Sequence, residues 1–121
     1  MFTLVVIEES LGDSKIFQTL RSYFVNQRIS EEPEDEHPIW HVNEYSVPED
    51  ELLSVLNPLK DVIKSTWYAH AFNQEKLYVV LSRKVFQVPL KRDETWDKMI
   101  EYGVNCAGVE RKYLETIPLH A

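Results

Sequence analysis

Glycine and cysteine are scarce in this sequence of 121 residues, and their scarcity excludes several kinds of protein. Only three glycines are present, Gly12, Gly103 and Gly108, which is too few for a glycine-rich loop that cradles a phosphate. The single cysteine, Cys106, has no partner for an internal disulfide, so the fold does not need an oxidising compartment. Since the sequence has no cofactor-binding loop, we expect no cofactor.

Recognisable catalytic motifs and long apolar runs are absent as well. The sequence contains no Walker, Rossmann, zinc-protease or nucleophile-elbow motif. No apolar run approaches the roughly 20 residues of a transmembrane helix. The apolar run that ends at Ile7 is too short for a signal peptide and has no basic residues before it. We therefore expect a cytoplasmic protein, and we lean towards a protein that is not an enzyme.

The composition is typical of a folded domain. Hydrophobic residues make up 44% of the chain and charged residues 27%, which is too apolar for disorder and too charged for a membrane protein. At this length we expect one compact domain over residues 1–121. The net charge is −7, and the first 75 residues carry 14 acidic and 5 basic side chains. Because an acidic chain repels phosphate backbones, general affinity for nucleic acid is disfavoured.

The segment Ser65–Leu90 organises the rest of the chain. Three runs rich in β-branched and aromatic residues, 67–72, 77–81 and 85–88, are separated by short polar connections, which predicts an antiparallel meander. The middle run is apolar throughout and should be a central strand with both sides covered. Alternation along the first run predicts one face with Trp67, Ala69 and Ala71, and an opposite face with Tyr68, His70 and Phe72.

Two strands and three helices are predicted around this meander. Short apolar runs predict strands over Thr3–Ile7 and Ile39–Val47, the second near a sheet edge because polar residues interrupt it. Apolar residues at helical spacing predict the helices. The first runs from Ser14 to about Gln27 after an Asp13 N-cap, the second starts at Pro48 and breaks at Pro58, and the third runs from Asp93 or Thr95 to a left-handed Gly108.

This order of elements predicts an α+β fold, in which helices pack on a mainly antiparallel sheet. From residue 39 onward the order also fits a ferredoxin-like arrangement. That arrangement requires the last two meander runs to act as one bent strand and residues 114–119 to pair back as a strand.

An acidic segment, Ser30–Pro38, contains two prolines and five acidic side chains, which predicts a mobile loop. A solvated connector is the simplest interpretation, and the alternatives are an acidic docking arm or a site for a cation. Glu36, His37 and His41 could ligate a metal ion. They lack a recognisable ligand spacing, so we expect no metal site.

Several short motifs follow one another in the second half of the chain: Trp67-Tyr-Ala-His70, Lys84-Val-Phe86, Thr95-Trp96 and Glu101-Tyr-Gly103. With these motifs, the part from about Ser65 to Pro118 resembles a group of small prokaryotic proteins with no established biochemical activity. Members of the group have glycine where this chain has Thr66. The resemblance implies one compact domain and implies no mechanism.

His70 is the strongest candidate for a catalytic residue. Its position between Tyr68 and Phe72 on one strand face would bury it partly and could bring its pKa across neutrality, as a general base requires. The alternative is a half-buried histidine satisfied by a hydrogen-bond partner. Cys106 lies near the negative end of the third predicted helix, which raises a thiol's pKa, so we expect it to fill space in the core and not to act as a nucleophile.

The function predicted from these features is a protein-binding or regulatory module, since aromatic side chains serve protein interfaces well. Its predicted partner-binding residues are Trp67, Tyr68, His70, Arg83 and Lys84. One alternative is a small hydrolase or isomerase with His70 as general base. Another is single-stranded nucleic-acid binding through the basic turn at Arg83 and Lys84. An unpaired strand edge would also allow a homo-oligomer.

Overall fold

The computed structural model describes residues 1–34, 36 and 38–119. The strands of this part of the chain are β1 (Phe2–Ile7), β2 (Phe24–Glu31), β3 (Ile39–Val47), β4 (Ala69–Phe72), β5 (Lys76–Leu81) and β6 (Lys84–Pro89). The α-helices are α1 (Ile16–Leu20), α2 (Glu49–Val62), α3 (Glu94–Asn105) and α4 (Arg111–Glu115), with 3₁₀ turns at Glu8–Ser10 and Arg21–Tyr23.

The strands form one antiparallel sheet in the order β2-β3-β1-β4-β5-β6. The α+β prediction and the meander β4-β5-β6 are therefore confirmed. β1 lies inside the sheet, paired with β3 on one side and β4 on the other, because its side chains are apolar in both directions. Leu77 and Val79 of β5 are completely buried, as predicted for a central strand.

Two hydrophobic clusters lie on opposite faces of the sheet. Helices α1 and α2 cover one face, where Leu56 and Leu59 pack with Leu4, Ala69 and Ala71. On the other face α3 and α4 cover the half made by β4, β5 and β6. The buried members of the hydrophobic cluster on this face include Phe72, Leu77, Val79, Met99, Ile100 and Leu114. The division of the β4 side chains between the two faces is thus as predicted.

The first helix is much shorter than predicted. Only Ile16–Leu20 is α-helical, and the chain after Tyr23 forms β2, which pairs with β3. The β-forming residues after Tyr23 find a strand partner in β3, and this pairing outweighs a helical pattern over the same residues. Because β2 extends to Glu31, the predicted loop also begins later than Ser30.

The bounds predicted for β3 are confirmed, but its predicted place near an edge is wrong. β3 lies between β2 and β1, so the edge strand on this side of the sheet is β2. The polar residue that suggested an edge, Asn43, is 3% exposed. Its side-chain amide is satisfied, because it donates to Glu8 Oε2 and to the Tyr45 hydroxyl, both at 2.9 Å.

The break predicted at Pro58 is also wrong, since α2 continues through it to Val62. Proline at position 58 removes the hydrogen bond to the carbonyl of Ser54, four residues earlier. Both residues lie on the exposed side of the helix, where water can satisfy that carbonyl. The buried leucines on the opposite side, including Leu56 and Leu59, hold the helix against the sheet.

The third helix and its ends agree with the prediction. The Asp93 carboxylate accepts a hydrogen bond from the Thr95 amide at 2.8 Å, which caps the first turn of α3. Gly108, just beyond the helix, has a φ of +71°. The conditions for a ferredoxin-like arrangement are not met. β5 and β6 are separate strands, and Leu114 lies in α4 with no strand following it as far as residue 119.

The longest described helix, α2, has 14 residues. Within residues 1–34, 36 and 38–119, no helix is long and apolar enough to cross a membrane.

Candidate binding groove

The half of the sheet made by β1, β3 and β2 carries a groove on the face opposite α1 and α2. Three neighbouring cavities of about 110, 210 and 370 Å³ follow one another along it. The first two share Val5, Val42 and His70, and the last two share Trp40 and Tyr68. Because neighbouring cavities have walls in common, we treat them as one site and call it the groove.

Strand register explains why these side chains meet. Val5 lies opposite both Glu44 of β3 and His70 of β4, while Arg28 of β2 lies opposite Val42. Alternation therefore directs one set of side chains from four adjacent strands to the same face. Pro118, near the end of the described chain, forms a further wall of the two smaller cavities.

The largest of these three cavities, at one end of the groove, is lined by aromatic side chains, and we call it the aromatic pocket. Trp40 and Trp67 meet edge to face with ring centroids 5.2 Å apart. Tyr68 and Tyr113 line the same cavity. Burial, with a smaller effect of the nearby Tyr113, raises the pKa of Tyr68 to about 12, so its hydroxyl stays protonated at neutral pH.

Among the described residues, the charged ones that line the aromatic pocket are all carboxylates: Glu34, Glu36 and Glu110. Glu34 and Glu36 belong to the predicted acidic loop, of which Asp35 and His37 lie outside the described residues. Just outside the pocket, the Lys112 ammonium lies 3.4 Å from Glu110 Oε2 and 5.1 Å from the centre of the Tyr113 ring. The pocket thus combines apolar walls with negative charge.

His70 lies in the floor of the groove and is only 4% exposed. The His70 ring stacks on the Phe72 ring, with centroids 5.6 Å apart, and is tilted against the Tyr68 ring, with centroids 5.9 Å apart. Burial lowers the pKa of His70 to about 4, although a hydrogen bond with the backbone of Pro118 acts in the opposite direction. The ring is therefore neutral at pH 7 and is a weak base, which does not favour a role as general base.

Two buried polar atoms of the groove have no hydrogen-bond partner among the described residues. They are His70 Nε2 and Trp40 Nε1, and both side chains line the cavity of about 210 Å³. Buried polar groups in native proteins nearly always have a partner in the protein, in water or in a ligand. The side chains that carry these atoms line one cavity, which makes that cavity the part of the groove best suited to an external hydrogen-bonding group.

The other predicted binding residues lie elsewhere. Arg83 is in the two-residue turn between β5 and β6, and Lys84 is the first residue of β6. The Lys84 ammonium lies over the rings of Phe86 and Tyr102, 4.9 and 5.4 Å from their centres. Trp67, Tyr68 and His70 line the groove, whereas neither basic residue lines any of its three cavities.

The surroundings of His41 and Cys106 differ from those that the sequence predicted. His41 Nδ1 lies 2.6 Å from Glu9 Oε2, and the other oxygen of Glu9 accepts from the His41 amide at 2.7 Å. His37, a second proposed metal ligand, lies outside the described residues, within which no cluster of His, Cys, Asp and Glu could hold a metal ion. Cys106 is exposed at the end of α3, so it does not fill space in the core.

Comparisons with protein-family models, with curated proteins and with solved structures found no match.

Sequence reasoning missed three important residues of the groove, Trp40, Arg28 and Tyr113. Trp40 was identified as part of a strand, and its place beside five acidic residues was a usable signal. Arg28 follows the helix predicted up to about Gln27, and no strand is predicted there, so its register with Val42 is not predicted. Tyr113 reaches the aromatic pocket because α4 packs against α3 and brings this side chain close to Tyr68, and no local pattern predicts that approach.

Proposed function

We propose that this protein is a binding module that holds an extended segment of another protein in the groove. The observation that carries the proposal is that the two unpartnered buried polar atoms, His70 Nε2 and Trp40 Nε1, belong to walls of the same cavity. A peptide backbone offers both donors and acceptors at regular spacing, so it can satisfy such atoms while its side chains fill the adjoining cavities.

The shape of the groove supports the same proposal. The cavities run in series across adjacent strands, which suits a chain more than a compact metabolite. Apolar residues such as Val5 and Val42 form the floor, and polar residues such as Arg28 and Glu44 form the rim. An apolar centre surrounded by a polar rim is the usual anatomy of a protein interface.

The test is a selection of peptides from a random displayed library against the intact chain, followed by measurement of their affinities. Ser30→Trp places a large ring in the cavity of about 210 Å³, and we expect it to weaken binding at least about tenfold. Ile29→Trp is the matched control. It changes the preceding residue of the same strand, whose side chain lies on the opposite face and is 63% exposed.

Circular dichroism of both variants checks that the fold is intact. The proposal predicts a loss of affinity for the Ser30 variant alone. Selected peptides that bind both variants as tightly as the natural chain would contradict it, because they must bind outside the groove.

A further inference from the structure

We infer that the aromatic pocket binds an alkylammonium group, and that the segment held in the groove therefore carries a lysine side chain, with or without methyl groups, at that end. This inference rests on the proposed function and names the chemistry that the groove selects.

Charge is the first argument. The carboxylates of Glu34, Glu36 and Glu110 line the pocket, and no lysine or arginine is among its described lining residues. The chain as a whole carries a net charge of −7. The local and the overall field therefore both attract a cation and repel an anion.

The aromatic walls are the second argument. The faces of tryptophan and tyrosine rings carry partial negative charge and attract ammonium groups, and several such rings around one cavity form the usual binding site for methylated ammonium. Trp40, Trp67, Tyr68 and Tyr113 supply four rings around this cavity. Its volume of about 370 Å³ leaves room for an ammonium group with its methyl groups and part of its alkyl stem.

The protein's own Lys112 provides the third argument. Its ammonium lies 5.1 Å from the centre of the Tyr113 ring and 3.4 Å from Glu110 Oε2. Both Lys112 and Glu110 are largely exposed, so this pair contributes little to stability. The pair shows that an ammonium group fits between a ring and a carboxylate at the edge of the pocket, because Tyr113 and Glu110 already hold the ammonium of Lys112 there.

The experiment uses three small probes with the intact chain: N-acetyl-lysine amide, its ε-trimethyl form, and the neutral analogue in which carbon replaces the trimethylated nitrogen. Binding is followed through the indole N–H signal of Trp40 in ¹H–¹⁵N spectra. We expect saturable shifts with both cations and an affinity for the trimethyl probe at least about tenfold higher than for its neutral analogue. The affinity of the cations should fall as salt is added.

Two variants inside the pocket and two control variants outside it test the inference. Glu110→Gln and Tyr113→Leu should weaken binding of the trimethyl probe several-fold. Glu101→Gln, on the exposed side of α3, and Phe86→Leu, on β6, should leave it unchanged, because neither residue lines the pocket. Equal losses in the pocket variants and in their controls would contradict the inference.

Equal affinities for the charged and neutral probes, or no saturable shift of the Trp40 signal, would overturn the inference. The groove could still be correct in that event, and the peptide selection would reveal it. Peptides that lose affinity with Ser30→Trp but contain no enriched basic residue would support the groove and reject the ammonium site.

Discussion

At the scale of single residues, the burial of His70 has a consequence for stability that pH titration can measure. Its pKa is about 4 in the folded chain and about 6.5 in the unfolded chain, so between these values the unfolded chain binds more protons. Stability should therefore fall as the pH is lowered from 6.5 to 4, by roughly 3 kcal/mol from this residue.

His70→Phe removes this titration and keeps an aromatic ring beside Phe72. We expect the loss of stability between pH 7 and pH 4, measured by urea unfolding, to be smaller in this variant than in the natural chain by about 3 kcal/mol. The same loss in both chains would mean that His70 is not buried in a neutral form.

The pKa of His41 is shifted upwards, opposite to that of His70, so a His41 variant is a control for the pH dependence that comes from His70. Its hydrogen bond with Glu9 raises the pKa of His41. The stability that it contributes is complete below about pH 6.5 and is lost as the pH rises through its folded pKa. His41→Gln should therefore alter stability near neutral and acidic pH but leave the loss that comes from His70.

Thr66 has a backbone conformation that its side chain disfavours. Its φ is +76°, in the left-handed region where glycine is favoured. We expect Thr66→Gly to raise the free energy of unfolding by about 1 kcal/mol. The measurement is urea unfolding at pH 7, with Thr95→Gly as a control that should destabilise because it lies in the first turn of α3.

At the scale of elements, the contact between α3 and α4 depends on Gly103. A Cβ atom at this position would clash with Leu114 Cδ1, and Leu114 is completely buried. We therefore expect Gly103→Ala to destabilise the chain by up to about 2 kcal/mol, because an overpacking cost of about 1–3 kcal/mol outweighs the gain of about 1 kcal/mol from the higher helix propensity of alanine. Glu101→Ala, at an exposed position of the same helix, should change thermal stability little. A Gly103 variant as stable as the natural chain would mean that the two helices do not pack this closely.

The elements that sequence predicted well are those whose local pattern and tertiary contacts agree. The meander and α3 have strong periodicity, and their apolar residues meet buried partners in the fold. The prediction failed at residues 21–27, where a helical pattern competes with pairing to β3, and at Pro58, where a solvent-facing position tolerates the missing hydrogen bond. In each case the deciding factor was a neighbour distant in sequence or the exposure of one helix side.

At the scale of the whole molecule, the groove arises from the mismatch between a sheet of six strands and the helices that cover it. On one face α1 and α2 pack near the centre, while on the other α3 and α4 cover only the β4–β6 half. Alternation correctly assigned Tyr68 and His70 to one face. It could not predict which half of that face would lack a helix, because this depends on the order of the strands. The single compact domain stays a prediction.

The most direct measurement of the central claim is a crystal structure of the chain with a peptide from the selection. We predict that the structure will show an extended peptide across β1 and β3, hydrogen-bonded to His70 or Trp40. A lysine side chain of the peptide should lie between the rings of Trp40 and Tyr113. A peptide bound to the exposed edge of β2 or over α1 and α2, with the groove empty, would contradict it.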